Sequence, residues 1–372
     1  MAILLTRGDV APALTYFPYS KDEPRSLMQM AGRQFVLCFY GDLSSNDGLG
    51  RKMLQEWIER KTLFSEGRCF IAVGYNPKDA SDPLLASLPP HMFVTFSDTL
   101  AAAREYGICE ASGTAMRHRY ANILLETNLT CAGTHLVENA TDPNGGALAA
   151  VMAWKIDDMA LHLRHGLAPV LILPNVLEPE LCRTLIEAYT SNGGTPSGFM
   201  REVNGRTVVA VDPKHKIRSD YLLEEDEMLQ ALRQRVHRRI VPHIERAFQF
   251  KVTRIERYIV ACYDATEGGH FRAHRDNTTR GTAHRRFAVS INLNSDEYEG
   301  GDLQFPEYGQ ATYRAPTGGA VVFSCSLLHR ALPVTKGRRY CFLPFLYDEA
   351  AARLRAENER FLGEQPSKAQ AQ

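Results

Sequence analysis

The sequence carries no excess of charge of either sign: 43 lysines and arginines balance 43 aspartates and glutamates over 372 residues, and the pI is near 7.2. No global field therefore recruits nucleic acid or an anionic membrane. Long hydrophobic runs are missing too. The longest apolar stretch, LAPVLILPNVL at 167–177, is far short of a bilayer span and contains two prolines. The N-terminal MAILLTRGDVAPAL has an apolar run too short for a signal peptide and no small-residue cleavage pattern. The eight cysteines include no CxxC and no paired spacing. Most lie in apolar runs such as FVLCFY and YCFLPF, where cysteine behaves as a small buried hydrophobe. What remains is an ordinary globular composition, 44% hydrophobic and 23% charged, expected in a reducing cytoplasm without membrane or nucleic-acid partners.

Length alone suggests two domains, and the pattern along the chain agrees. Residues 1–155 alternate strand-like and helical runs. RQFVLCFY (33–40) is followed by a segment with Leu49, Met53, Trp57 and Ile58 on one helical stripe, then by CFIAVGY (69–75), a β-α-β pattern. A helix over about 148–164 and the apolar APVLIL lead into a second block, 165–350. Helices are expected there at 178–191 and 225–248. From 254 to 347 short β runs alternate with Gly, Asn and Pro turns: RYIVACY, FAVSINLN, GGDLQF, GGAVVFS and RRYCFLPFLY. Helices followed by regularly spaced strands argue for a helix-backed β-sandwich or jelly roll, an α+β domain after an α/β one. Residues 351–372 read as a polar helix fraying into a tail.

One segment between two of these strands, YDATEGGHFRAHRDNTTRG (263–281), contains His274-Arg275-Asp276. A chain of this composition holds one or two His-x-Asp/Glu pairs by chance, and His243-Ile244-Glu245 is a second. The latter falls in an expected helix, where residues two apart do not face one another. His274 and Asp276 lie in a segment that reads as extended, where residues two apart share a face. His329, just after the apolar GGAVVFS, offers a third ligand. Two histidines and one carboxylate with open positions form the facial triad of non-heme Fe(II) oxygenases. Ten residues further on, Arg339 heads the strand RYCFLPFLY and offers a bidentate partner for a carboxylate; alternation turns only one of Arg338 and Arg339 inward.

On these residues, 165–350 resembles the 2-oxoglutarate and Fe(II)-dependent dioxygenases of the prolyl-4-hydroxylase type. VACY (260–263), HRDN (274–277), EGGDLQFPEYG (299–309) and LHRALPVTKGRRY (328–340) carry the likeness, which is strongest to the oxygen-sensing prolyl hydroxylases. It implies a double-stranded β-helix with iron ligands His274, Asp276 and His329. Arg339 would hold 2-oxoglutarate, with Tyr263 as the phenol that hydrogen-bonds it. Asn292 stands where the oxygen-sensing members have a second tyrosine. Fe(II), 2-oxoglutarate and O2 are the implied cofactors, with ascorbate as an accessory reductant. Because Asp276 fills the carboxylate position, no vacancy is left for a halide. The basic group Arg280, His284, Arg285 and Arg286 reads first as a solvated loop. The likeness puts a substrate-covering loop there, which makes Arg280, His284 and Arg285 candidates to contact an anionic or peptidyl substrate.

The first block resembles a peroxiredoxin of the thioredoxin fold through RGDVAPALTYF (7–17), GRQFVLCFYG (32–41), FSDTLAAAREYGI (96–108) and RYANILLETN (119–128). In that family a Pro, a Thr and a nucleophilic Cys follow the FY strand; this chain has Gly41, Ser45 and Gly48. Cys38 lies inside the apolar strand and is no substitute. The expectation is a peroxidase fold without its nucleophile, serving to dock a partner, to dimerise or to shape the substrate path. The whole chain then reads as a hydroxylase acting on an unactivated C–H of a prolyl or other amino-acid residue or a small metabolite, with release of succinate and CO2, and as a homodimer. The rival reading is a thiol-dependent redox or binding protein with a non-catalytic jelly-roll sensor domain.

Overall fold

The computed structural model describes residues 4–7, 9, 11–16, 25–86, 88–96, 100–112, 115–127, 129, 131–154 and 167–363. The chain divides into two compact units, Met1–Leu167 with Pro306–Gln310, and Ala168–Phe305 with Ala311–Gln372. Each is a mixture of helices and many strands, and no described helix is long and apolar enough to cross a membrane.

In the first unit, β1 (Gln34–Gly41), β2 (Arg68–Gly74), β3 (Met92–Phe96), β4 (Ala121–Leu125) and β5 (Cys131–Leu136) form one sheet in the order β3-β2-β1-β4-β5. β1, β2 and β3 run parallel, β4 pairs antiparallel with β1, and β5 pairs antiparallel with β4. The parallel step from β1 to β2 needs a crossover, which α1 (Leu49–Glu59) supplies. Met53, Leu54 and Trp57 bury its apolar stripe, while Leu49 and Ile58 lie at its edge. Trp57 donates its Nε1–H to Asn122 Oδ1 at 3.0 Å, and Asn122 Nδ2 donates to Asn144 Oδ1 at 2.9 Å. Asn144 then reaches the Met53 carbonyl at 2.9 Å, so a chain of buried amides is satisfied from helix to sheet. The helix α2 (Gly145–Ala153) is shorter than the expected 148–164; residues 155–164 lie outside the described ones.

The second unit has two antiparallel sheets. The larger joins β6 (Leu171–Leu173), β18 (Ala320–Ser324), β15 (Phe287–Asn292), β20 (Arg338–Phe342), β13 (Ile259–Asp264), β11 (Ser219–Leu222) and β7 (Thr195–Pro196) in that order. β12 (Arg254–Glu256) and β21 (Phe345–Tyr347) complete it. The smaller runs β10 (Lys216–Ile217), β14 (His270–His274), β19 (His329–Ala331), β16 (Leu303–Gln304), β17 (Thr312–Tyr313). A hairpin, β8 (Phe199–Val203) with β9 (Arg206–Ala210), stands apart from both.

Helices α3 (Pro179–Asn192), α4 (Asp226–Arg239) and α5 (Val241–Phe248) cover one face of the larger sheet. Leu185, Leu232, Val236, Ile240 and Ile244 pack there with Val260, Cys262, Val289, Ile291, Tyr340 and Phe342. Strand alternation sends the residues between them to the other face: Tyr263, Ser290, Asn292 and Arg339. The expected single helix 225–248 is two. Pro242 has no N–H to give and its ring crowds the preceding turn, so the chain breaks at Ile240 and restarts. The C-terminal segment also differs from expectation. After α6 (Glu349–Asn358), Leu362 bridges Thr207 and the Gly363 N–H donates to the Thr207 carbonyl at 2.9 Å, so 359–363 is docked rather than frayed.

Helix α1 lies so close to β1 that a Cβ at Gly50 would stand 2.1 Å from the Tyr40 carbonyl oxygen. Gly50→Ala therefore has to push the helix off the sheet. We expect it to destabilise the first unit by about 1–3 kcal/mol despite alanine's better helix propensity. Urea unfolding followed by tryptophan fluorescence measures this, and an unchanged or raised midpoint would contradict the packing described.

Candidate active site

His274 ends β14 and His329 begins β19, and the two are register partners across the antiparallel pair. They meet only because the register shifts between Phe271 and His274. Phe271 pairs with Ala331, so the three steps to His274 on one strand span two steps to His329 on the other. The extra residue re-aims the end of β14, as bulges beside sites do. It also lets Phe271, three positions away, stack on the His274 ring with centroids 3.5 Å apart. Asp276 is not on the strand, as its spacing from His274 suggested, but in the turn just beyond. Its N–H donates to the Cys325 carbonyl at 3.0 Å, which fixes the turn against the strand leading to His329.

The result is a tight cluster. Asp276 Oδ1 lies 3.5 Å from His274 Nε2, and its Oδ2 lies 3.4 Å from His329 Nε2. The other ring nitrogens are held by backbone carbonyls, His274 Nδ1 by Arg272 at 2.8 Å and His329 Nδ1 by Leu327 at 3.0 Å. That bond fixes each ring as the Nδ1–H tautomer with the Nε2 lone pair directed at the cluster. Burial and the neighbouring His329 push His274 down to about 4. Burial works against ionisation of Asp276, but the two histidines outweigh it and hold its carboxyl well below the usual range. A neutral imidazole and an ionised carboxylate are the states a cation requires. One ligand atom from each of the three residues lies within 4.8 Å of the others, so the donor set fits a metal of the Fe(II) kind.

On the facing side of the larger sheet, Arg339 is register partner of Tyr263 and almost wholly buried. Its Nη1 donates to the Gly301 carbonyl at 2.9 Å, and its Nη2 to Ser290 Oγ at 2.8 Å and Asn292 Oδ1 at 3.3 Å. All three acceptors are neutral. Its Nε–H and the hydroxyl of buried Tyr298 have no partner among the described residues. Two orphaned buried donors beside an uncompensated guanidinium are what a carboxylate ligand would satisfy. Arg338, by contrast, is exposed and pairs with Asp264 at 2.6 Å. Asn292 uses its amide on Arg339 and, through Nδ2, on the Ala315 carbonyl at 2.9 Å, so it positions the arginine.

The basic loop, read first as solvated, is instead largely tied to the fold. His284 is buried with Nε2 3.0 Å from Glu256, and Arg285 pairs with the same carboxylate at 2.9 Å. Arg286 caps the Ala283 carbonyl at 2.7 Å. Arg280 lies against the Phe361 ring, 4.4 Å from its centroid, near Glu202. Glu256 is the reason: one buried carboxylate draws His284, Arg285 and Arg355 to itself. What the sequence reasoning missed is Lys216, Arg218 and Asp220. Their alternate spacing in KIRSD is the period-2 pattern that puts three charges on one face of an extended segment.

In the first unit Cys38 is fully buried in β1, and burial pushes its thiol far above the ordinary range. Gly48 caps α1 in a left-handed conformation, φ 63°. Asp47 occupies the helix end instead of a thiolate: its Oδ1 accepts from the Leu49 N–H at 3.0 Å, and its Oδ2 accepts from the Tyr120 hydroxyl at 2.9 Å. All eight cysteines are free, and burial raises every one of them. None is activated for thiol chemistry.

Comparison with known proteins bears on the second unit. The 2OG-Fe(II) oxygenase superfamily matches residues 258–347. The PKHD-type hydroxylase PiuC of Pseudomonas aeruginosa is 36% identical over 87 residues, 21% of this chain and 38% of its own length. A PKHD-type hydroxylase of Cupriavidus metallidurans is 35% identical over 94 residues, 23% of this chain and 41% of its own. The chain thus spans about two fifths of the length of the curated relatives it matches. Among solved structures, a Trichoplax adhaerens prolyl hydroxylase in complex with a hypoxia inducible factor peptide fragment is 19% identical. It covers 54% of this chain and 94% of its own, with a TM-score of 0.41. The peroxidoxin BcpB of Mycobacterium tuberculosis is 14% identical over 41% of this chain and 99% of its own, with a TM-score of 0.34. The segment that matches the 2OG-Fe(II) oxygenase superfamily, residues 258–347, contains the whole His-Asp-His cluster and Arg339.

Proposed function

We propose that the protein is an Fe(II)- and 2-oxoglutarate-dependent dioxygenase that hydroxylates an unactivated C–H of its substrate. The observation that carries this reading is the pairing of a His274–Asp276–His329 cluster with a buried, uncompensated Arg339 on the sheet opposite. The two antiparallel sheets backed by α3, α4 and α5 support a double-stranded β-helix. Iron bound at the three ligands, with 2-oxoglutarate and O2, would supply the oxidising power, with succinate and CO2 as co-products and ascorbate as an accessory reductant. The chain's own residues do the rest. Arg339 Nε and the Tyr298 hydroxyl receive the distal carboxylate of the cosubstrate, and Ser290 and Asn292 hold the guanidinium in place for it. Tyr263, whose ring lies 5.3 Å from the Arg339 guanidinium, walls the cosubstrate space and offers its phenol. Nδ1 bonds to Arg272 and Leu327 keep both imidazoles from rotating away.

The first unit, with Gly48 at the nucleophile position of the resemblance and Asp47 beside it at the same helix end, supports a thioredoxin-like domain over residues 1–155 that docks, dimerises or shapes access. Unpaired cysteines fit a cytoplasmic setting. The thiol-redox alternative finds no activated thiol to work with.

Replacing His274 or Asp276 with alanine is expected to remove iron binding and succinate formation while leaving the far-ultraviolet circular dichroism intact, because a three-ligand site keeps little affinity with two. Atomic spectroscopy decides it; a fully iron-loaded, active His274→Ala protein would contradict the ligand set. Arg339→Ala is expected to raise the KM for 2-oxoglutarate by the equivalent of about 2–5 kcal/mol. Iron content should hardly change. Arg338→Ala, which breaks only an exposed pair, should stay near wild type. The reverse pattern would mean that the other arginine faces the cosubstrate. The purified protein is also expected to show no thiol-dependent peroxidase turnover, and measurable turnover that Cys38→Ser abolishes would restore the redox reading.

A further inference from the structure

Three cationic side chains, Lys216, Arg218 and Arg257, meet beside the proposed catalytic cluster. Among the described residues the one carboxylate that pairs with any of them is Asp220. Arg218 Nη2 donates to Asp220 Oδ2 at 2.7 Å, and Arg257 Nη2 lies 3.6 Å from the same oxygen. Ser197 Oγ donates to that oxygen at 2.5 Å and accepts from Lys216 Nζ at 2.7 Å and Arg218 Nη2 at 3.1 Å. Lys216 and Arg218 are almost fully buried. Arg257 keeps 26% of its side chain accessible and Asp220 17%, so the cluster is reachable from solvent.

Its position ties it to the reaction site. Lys216 Nζ lies 4.9 Å from the Phe271 ring centroid, and that ring stacks on the ligand His274. Arg218 Nη1 contacts the Tyr263 hydroxyl at 3.4 Å, and Tyr263 is the ring beside Arg339. The cations are thus one ring away from the metal ligands and one ring away from the cosubstrate arginine.

Three observations indicate a missing ligand. Two guanidiniums and a lysine share one carboxylate in a largely buried place, so even with Lys216 neutral the positive charge is in excess, which is costly unless a counter-ion arrives. Arg218 Nε and Asp220 Oδ1 are both buried without a partner, a donor and an acceptor left over side by side. Arg257 is held at φ 73°, a left-handed backbone that a non-glycine residue adopts only at a cost, with its guanidinium 3.6 Å from Asp220 and 5.1 Å from the Phe345 ring. The shortage of negative charge also shows in the groups themselves: burial and Arg218 push the Lys216 ammonium down to about 5 and the Arg257 guanidinium down to about 10.

We propose that Arg218, Arg257 and Lys216 form an anion subsite for the primary substrate, which receives the carboxylate of a small acid while Asp220 accepts a hydrogen bond from an amino or hydroxyl group next to it. The proposal rests on the dioxygenase reading for its catalytic meaning. The bare Asp220 Oδ1 selects the chemistry, because a phosphate dianion would set a doubly charged group beside this carboxylate and be repelled by it, whereas an amino or hydroxyl group can donate to it. The burial of Arg218 selects a small molecule. Binding would bring the C–H bonds close to the carboxylate towards the His274–Asp276–His329 cluster.

The test uses the full-length protein with Mn(II) and 2-oxoglutarate under nitrogen. It is titrated calorimetrically with free amino acids and α-hydroxy acids, each matched with its carboxamide, and with inorganic phosphate. At least one acid is expected to bind about tenfold or more tightly than its amide, equivalent to roughly 1.4 kcal/mol. Arg257→Asn, chosen because asparagine tolerates a positive φ, is expected to weaken that acid about tenfold more than it weakens 2-oxoglutarate. Arg218→Lys keeps the charge but loses the planar fork and should act in the same direction. The proposal is overturned if acid and amide bind alike, if phosphate binds best, if no acid binds, if the acid only displaces 2-oxoglutarate, or if both variants bind the acid as the wild type does. Iron-dependent succinate formation is measured in parallel. Acid binding without any succinate would remove the dioxygenase reading and leave the subsite; succinate without acid binding would remove the subsite alone.

Discussion

A single extra residue in β14 is the constraint on which the rest of the site depends. Without the register shift between Phe271 and His274, the strand's regular alternation would put Ala273 opposite His329 and turn His274 to the other face. With it, His274 meets His329, Phe271 slides beneath the His274 ring, and the chain leaves the strand in time for Asp276 to turn back over both. The shift loosens the ladder locally, and the Asp276 N–H to Cys325 carbonyl bond restores a tie two residues later. The donor geometry is therefore set by backbone pairing rather than by side-chain flexibility, which suits a site whose ligands must stay converged in the absence of a cation.

The second dependence is electrostatic. The interior between the two sheets is unusually rich in guanidinium and poor in carboxylate. Arg339 has three neutral acceptors, and Arg218, Arg257 and Lys216 share Asp220. Elsewhere in the same unit Arg314 pairs one to one with Asp302 at 2.5 Å, and Glu256 gathers His284, Arg285 and a half-exposed Arg355.

What the sequence made legible follows the strength of each local rule. Period-2 alternation allows only one of Arg338 and Arg339 to face inward, and the structure buries Arg339, because one face of β20 packs on helices and leaves the other to the interior. The β-α-β step was visible in two apolar runs around an amphipathic stripe, and the structure pairs β1 and β2 in parallel around α1. The failures have physical causes as well. Asp276 was placed on an extended strand because a register shift leaves no trace in composition. The helix 225–248 was drawn through Pro242, although the missing N–H was written in the chain. His284 and Arg285 read as a solvated loop because their partner, Glu256, lies 28 and 29 residues away in sequence. Lys216, Arg218 and Asp220 escape notice for the opposite reason: the alternation is present, but within KIRSD Ile217 is the single apolar residue, too little to announce a strand.

In the first unit a carboxylate occupies the N-terminal end of α1. A thiolate at a helix N-terminus is stabilised by the terminal N–H groups and the helix dipole. Here Asp47 takes the Leu49 N–H and the Tyr120 hydroxyl, so a permanent carboxylate fills the electrostatic role and no nucleophile is needed. The core beneath is unaffected, because Met53, Leu54, Trp57 and the Asn122–Asn144 amide chain lie on the buried side of α1. Gly50 keeps the helix tight on β1, which holds its N-terminus, and with it Asp47, at a fixed height above the sheet. The end of α1 is thus saturated from within the chain, while the interior of the second unit is left short of negative charge.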